Sequence, residues 1–218
     1  MITNTTLFKA TGVDAYPCHG GHGQWSKPTE TAPGEWMHFI EDIEPCKRGY
    51  HVCEGTQVFK WIGEELYEVE IKGEQIREKD KIVAQQARLV RKFKTWNKRT
   101  ARLFACDCAE HVLHIFQEKY PDDTRPAEAI DVARLYANGK ATEEELNKAR
   151  AAAAAAAASY NTARAARAAR AAAYAAAASA YYAATDAADA AYYAIVSYRN
   201  ERTWQYKQLI KYLNGEIK

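Results

Sequence analysis

Charge of one sign is what this 218-residue sequence lacks first: 30 Lys and Arg stand against 28 Asp and Glu, a formal net charge of +2. A protein built to coat nucleic acid carries a strong basic excess, so nucleic acid is not an expected partner. Long apolar runs are missing too. Arg, Asp and Tyr interrupt the alanine tract, so no run of about 18 large apolar residues exists, and no membrane span is expected. The opening segment MITNTTLFKATG has no basic stretch followed by an apolar core, which is not the pattern of a signal peptide. Five cysteines, an odd number without a regular framework, fit reduced thiols and a cytoplasmic protein. No GxGxxG, P-loop, HExxH or GxSxG pattern occurs. Phe and Met are scarce, six and two, against fourteen Tyr and five Trp. The large apolar volume therefore carries polar handles, each needing a partner or water.

Glycine and proline are scarce only in the second half. All but two of the eleven glycines, and four of the six prolines, fall in residues 1–80. This shift places a boundary in the charged segment Arg77 to Lys81, between a small α+β domain (1–80) and an all-α helical bundle (81–218). In the first part, Tyr67, Val69 and Ile71 alternate with Glu68, Glu70 and Lys72, a strand pattern. Gly49 to Cys53 reads as another short strand, and Met37 to Ile43 as a third. Val58, Trp61 and Ile62 at helical spacing give a short helix, with Thr56 as its cap. In the second part, helices are expected over about Ile82–Trp96 and Lys98–Tyr120, then from a Thr124 cap to the stop at Asn138-Gly139. Core candidates on the second of these are Leu103, Cys106, Val112, Leu113 and Phe116. Thr142 with Glu145 forms a capping box. The helical stretch from Thr142 to Leu213 must fold back, because one straight helix of that length would exceed about 100 Å. Short polar side chains suggest breaks at Ser159–Thr162 and Ala184–Asp186.

More than half of residues 151–200 are alanine. Alanine has the best helix propensity but buries only about a methyl group, so stability must come from close approach of backbones. Specificity must then come from the Tyr and Arg residues set among the alanines. Arg164, Arg167 and Arg170 recur every three residues as a basic ridge, with Tyr174, Tyr181 and Tyr182 following. A charge run of this kind is ordinarily a solvated face, or one paired with Asp186 and Asp189 across a helical hairpin. The sharper reading is a partner-binding face.

Several clusters invite chemistry. Cys18, His22, Cys46 and Cys53 are zinc-type ligands, but the tight Cys-x2-Cys pairs of structural zinc sites are missing, and ordinary loop and strand residues are the competing reading. Cys106, Cys108, His111 and His114 share one expected helix, with no third group to orient a catalytic pair. Arg88, Arg91, Lys92, Lys94, Lys98, Arg99 and Arg102 surround Phe93 and Trp96; this is either a phosphate-binding patch or the polar face of an amphipathic helix. No cofactor is expected.

Three stretches carry a resemblance: Arg102-Leu-Phe-Ala-Cys-Asp-Cys-Ala-Glu-His-Val-Leu, Tyr120-Pro-Asp-Asp-x-Arg-Pro-x-Glu-Ala-Ile, and Glu201-Arg-x-Trp-Gln-x-x-x-Leu. With the alanine/arginine repeats between them, residues 97–213 resemble the helical domain of immunity proteins associated with bacterial polymorphic toxins, a domain also found in tailed-phage proteins. The resemblance implies an all-α fold and a bacterial protein as partner, and it supplies no catalytic residue. Cys46-Lys-Arg-Gly-Tyr-His-Val-Cys resembles a Cys-x-x-Gly-[Phe/Tyr]-His-x-Cys core of a small phage and bacterial domain. Its strand–helix–strand order is similar to small ADP-ribosyltransferase-like folds. The leading expectation is a non-enzymatic cytoplasmic inhibitor, of toxin-immunity or phage counter-defence type, acting in the host cytoplasm if phage-encoded and open to self-association. The alternative is a domain that binds NAD or a small nucleotide signal, with Tyr50 and His51 near its site and Trp36 or Trp61 stacking on the base.

Overall fold

The computed structural model describes residues 2, 5–160, 163–177, 179–195 and 198–217. It is α+β: four antiparallel strands, then six helices. Two compact units form. One comprises residues 1–96 with 213–215, the other residues 97–212 with 216–218.

In the first unit, β1 (Leu7–Thr11), β2 (Tyr50–Glu54), β3 (Glu65–Arg77) and β4 (Ile82–Lys92) close into a small barrel in the order β1-β2-β4-β3. Alternation aims Tyr50, Val52, Tyr67, Val69, Ala87 and Leu89 inward, where they pack with Trp25 and Ile82. Glu65, Glu68 and Glu70 of β3 face cations across the strand pair: Lys92, Arg91 and Arg88. The β3–β4 register shifts between Lys72 and Gln75. Gly73 sits in that irregularity at φ +79°, and a Cβ there would lie 2.5 Å from the Gln85 side chain, so only glycine fits.

The helix expected over Ile82–Trp96 is therefore corrected. Its Ala, Gln, Arg and Leu residues favour helix in isolation, yet Ala87 and Leu89 are buried while Gln86, Arg88 and Val90 are less so. That period of two, paired with β2 and β3, overrides propensity. Helical structure starts at Lys98, not near Lys81, and the compact units part between Trp96 and Asn97. The strand expected over Met37 to Ile43 is an irregular extended segment whose Met37 and Ile40 amides donate to Ala87 and Gln85 carbonyls of β4. The short helix after β2 is a 3-10 turn, Gly55–Lys60, capped by Glu54 and Gln57 rather than by Thr56.

The second unit contains α1 (Lys98–Gln117), α2 (Arg125–Ala137), α3 (Glu143–Ser159), α4 (Ala163–Ala175), α5 (Ala180–Ala194) and most of α6 (Tyr198–Asn214). Asn97 caps α1, accepting from the Arg99 and Thr100 amides. Thr142 and Glu145 form the expected box on α3. α2 stops at Asn138 and Gly139, the latter at φ +69°. Its start differs from expectation, because Asp123, not Thr124, accepts the Arg125 amide. α1 packs against α2, α4 and α5. Of the core candidates on α1, Leu103, Cys106, Val112 and Phe116 are buried and Leu113 is partly so. The α4 and α5 seams are alanine throughout: Ala165, Ala168, Ala172, Ala183, Ala187 and Ala191 are essentially inaccessible. Side chains this small let helix axes approach toward the short end of the usual ~8–10 Å range.

The break expected at Ser159–Thr162 coincides with the end of α3; Asn161 and Thr162 lie outside the described residues. The break expected at Ala184–Asp186 is absent. Thr185 bonds back to the Tyr181 carbonyl inside α5, so its hydroxyl is absorbed by the helix rather than ending it. The chain instead leaves α4 after Ala175, where the buried Arg102 guanidinium of α1 takes the Ala175 and Ala177 carbonyls. A cation at a helix C-terminus meets both orphan carbonyls and the helix dipole.

Where α2 begins, Asp123 accepts both Arg125 and the Tyr160 hydroxyl at the end of α3, and these bonds hold its carboxyl down at about 2. A depressed folded-state pKa gives stability that is complete above the ordinary carboxylate range and lost as pH falls toward 2. Allowing for the solvent-screened Arg125, about 1 kcal/mol is expected from Asp123. Urea midpoints of wild type and Asp123→Asn should differ at pH 6 and converge as pH falls from 5 to 2; a gap independent of pH would contradict this.

Candidate functional site

Helices α1 and α6 are joined by a buried polar network. The His111 ring stacks on Trp204 at 3.8 Å between centroids, with 2° between planes. Its Nδ1 lies 2.9 Å from the carboxylate of Glu201, whose side chain is fully buried. Gln205 donates to Glu201 and to the Ala188 carbonyl of α5, each at 2.8 Å. One turn further along α1, Asp107 accepts from Arg134, Gln208 and the Tyr212 hydroxyl. These groups satisfy one another, as buried polar atoms must.

The neighbouring thiols fit the same picture. Cys106 is pushed up to about 12 by burial, and Cys108 is also raised by burial, so both are protonated packing residues rather than nucleophiles. His114 is exposed. Among the described residues, no three His, Cys, Asp or Glu side chains group closely enough to hold a metal ion.

On the outside of this unit, Arg164, Arg167 and Arg170 all lie on the exposed side of α4. Two of them cap the end of α5: Arg164 donates to the Ala194 carbonyl at 3.0 Å, and Arg167 to the Tyr193 carbonyl at 3.2 Å. α4 and α5 therefore run antiparallel. The expected pairing of this ridge with Asp186 and Asp189 does not form; Asp189 pairs with Arg202 of α6. Asp186 keeps an exposed edge, and partial loss of hydration together with the neighbouring Asp189 raises its carboxyl. Tyr174 and Tyr181 are partly buried, whereas Tyr182 is 71% exposed. Tyr182, Asp186 and Tyr193 follow helical spacing on one face of α5.

The basic cluster around Phe93 and Trp96 is largely paired within the chain. Arg88, Arg91, Lys92 and Lys94 pair with Glu70, Glu68, Glu65 and Glu30. Arg99 bonds Asn138, and Arg102 is buried. These partners match the polar-face reading, on a strand rather than on the helix expected.

The barrel unit holds a cavity of about 260 Å³. Its wall includes Cys18, Cys46, Cys53, His51 and Trp61, so the fold gathers five of the residues singled out in this region. It leaves out His22, Trp36 and Tyr50. Tyr50 is buried edge-on against Trp25 and donates to the His38 carbonyl. Trp36 is covered by Lys72 and Arg88, 3.9 and 4.7 Å from its ring centre. The four residues read as a nucleotide site are thus not one site. His51 Nε2 accepts the Cys46 amide at 2.9 Å, which occupies the lone pair a metal would need. Sequence reasoning missed Lys9, which is among the residues lining the cavity; a lone lysine in a five-residue strand gives no signal.

The family model described as "Imm-5 like putative immunity protein" matches residues 91–212, more than half of the chain. The chain belongs to this family. No curated protein and no solved structure matches it. The family match begins at the end of β4 and takes in α1 to α5 and most of α6. Residues that carried the resemblance, Arg102, Asp107, His111, Glu201 and Gln205, are the family segment's internal ties. The barrel lies almost wholly outside it. Among the described residues, no helix is long and apolar enough to cross a membrane.

Thiol accessibility follows directly. Cys18 and Cys46 are exposed, and the other three cysteines are buried. With a thiol reagent at pH 8, two thiols should react in the native protein, Cys46 ahead of Cys18, whose thiol burial pushes up. Three more should react only after unfolding. Fast labelling of Cys53, pushed up to about 12, would contradict the barrel core.

Proposed function

We propose that this protein is an immunity-type inhibitor that binds a bacterial toxin and does no chemistry on it. Family membership supports a protein partner. The observation that carries the choice of surface is the division of labour on α4 and α5. Arg164 and Arg167 are spent on the carbonyl end of α5, whereas Arg170 lies beyond them on the exposed face toward Tyr174. Antiparallel packing sets Arg170 and Tyr174 beside the first half of α5, where Tyr181, Tyr182 and Asp186 stand. Tyrosine and arginine dominate the energetics of protein interfaces, because they offer large contact area with a polar end at small entropy cost. Arg164 and Arg167 keep exposed edges and extend the surface. The same face would serve a phage-encoded counter-defence protein against a host component, and five free thiols suit the reducing cytoplasm of such a host.

The reading is tested by co-purification with toxins encoded beside its gene. Arg170→Glu with Tyr182→Ala should weaken capture by at least about tenfold with an unchanged circular dichroism spectrum, since a lost interface anchor typically costs ~2 kcal/mol or more. Full capture by that double variant would remove the assigned surface.

A further inference from the structure

The barrel cavity has a charge imbalance. Lys9, Lys47 and Lys81 are among its lining residues, and no Asp or Glu is. Two of these cations are neutralised from outside it: Lys47 by Glu44 at 2.7 Å, and Lys81 by Glu78 and Asp80 at 2.9 and 3.1 Å. Lys9 differs. Its ammonium donates to the His51 carbonyl at 3.0 Å and lies 5.0 Å from the centre of the Trp25 ring. Among the described residues, no carboxylate is within ion-pairing distance of it. Lys9 is partly exposed; a cation drawn largely out of water without a counter-ion is costly, and burial accordingly lowers the Lys9 pKa.

We infer that this cavity binds a small organic monocarboxylate, its carboxylate on the Lys9 ammonium and its apolar body against Trp61 and Pro17. One unneutralised cation calls for one negative charge, which favours a carboxylate over a phosphate dianion. The ammonium has three donors and spends one on His51, leaving two for the ligand. The volume of about 260 Å³ sets the size. That is room for a single ring with its acid group. The body has flat walls: the Trp61 indole is fixed by its bond to the Asp80 carbonyl at 2.7 Å and by the His19 ring edge-on at 5.5 Å. This site is independent of the toxin-binding surface and would stand if that assignment failed.

Benzoate is the probe, with acetate supplying the charge alone and benzyl alcohol the body alone. Ligand-observed NMR on the full chain should show saturable benzoate binding, with acetate and benzyl alcohol each at least about tenfold weaker, because a charge-assisted hydrogen bond and an apolar contact are each worth a factor of that order. Lys9→Met should lose binding about tenfold or more. Where that variant does not fold, the wild-type protein decides: its Lys9 ε-methylene resonance, assigned through Lys9→Arg, should shift on benzoate addition. Absence of benzoate binding, equal binding of benzyl alcohol, retained affinity in a folded Lys9→Met, or a Lys9 resonance that does not move would each overturn the inference.

Discussion

An alanine helix has no side chain with which to end itself, so the carbonyls at its C-terminus must be met from elsewhere. That constraint organises the helical unit. The Arg102 guanidinium, buried on α1, closes the end of α4. Arg164 and Arg167 on α4 close the end of α5. Gln205 on α6 reaches the Ala188 carbonyl within α5. Each tie crosses from one helix to another and fixes register, and the arginine ties also set where α4 and α5 end, which the uniform alanine seams leave undefined. Losing a buried tie would leave a charged or carbonyl group without its partner, which is more damaging than loss of a methyl contact.

The same constraint separates structure from recognition. The stretches through which the chain resembles immunity proteins run through Arg102, Asp107, His111, Glu201 and Gln205, and their side chains tie one helix to another. They account for membership of the family without giving a binding site. Arg170 and Tyr182, outward on α4 and α5, make no comparable tie among the described residues. A scaffold held by polar ties and small seams can vary such residues at little cost in stability.

Where the sequence was explicit, the fold followed it. The Thr142–Glu145 box, the Asn138-Gly139 stop and the Tyr67–Ile71 alternation are local signals with local causes, and each lies where its chemistry requires. The misreadings share a different origin. β4 is written in helix-forming residues, and only its partners β2 and β3 make it a strand. The end of α4 at Ala175 has no local signal because the deciding group, Arg102, is more than seventy residues away. The cavity was half legible: its cysteines and His51 stood out as reactive types, whereas Lys9 stands out only because no carboxylate among the described residues is folded against it, and that is a property of space rather than of sequence.

The central claim, that one set of polar residues builds the helical unit while another faces the partner, is tested most directly by scanning residues 97–212 for two readouts at once: soluble abundance, and rescue of growth from the toxin of the same locus. Substitutions at Arg102, Asp107, Glu201 and Gln205 should lose rescue only in proportion to lost abundance, and substitutions at Arg170 and Tyr182 should lose rescue with abundance intact. Loss of rescue at Glu201 or Asp107 in protein of normal abundance, with the outer tyrosines and Arg170 indifferent, would contradict the account.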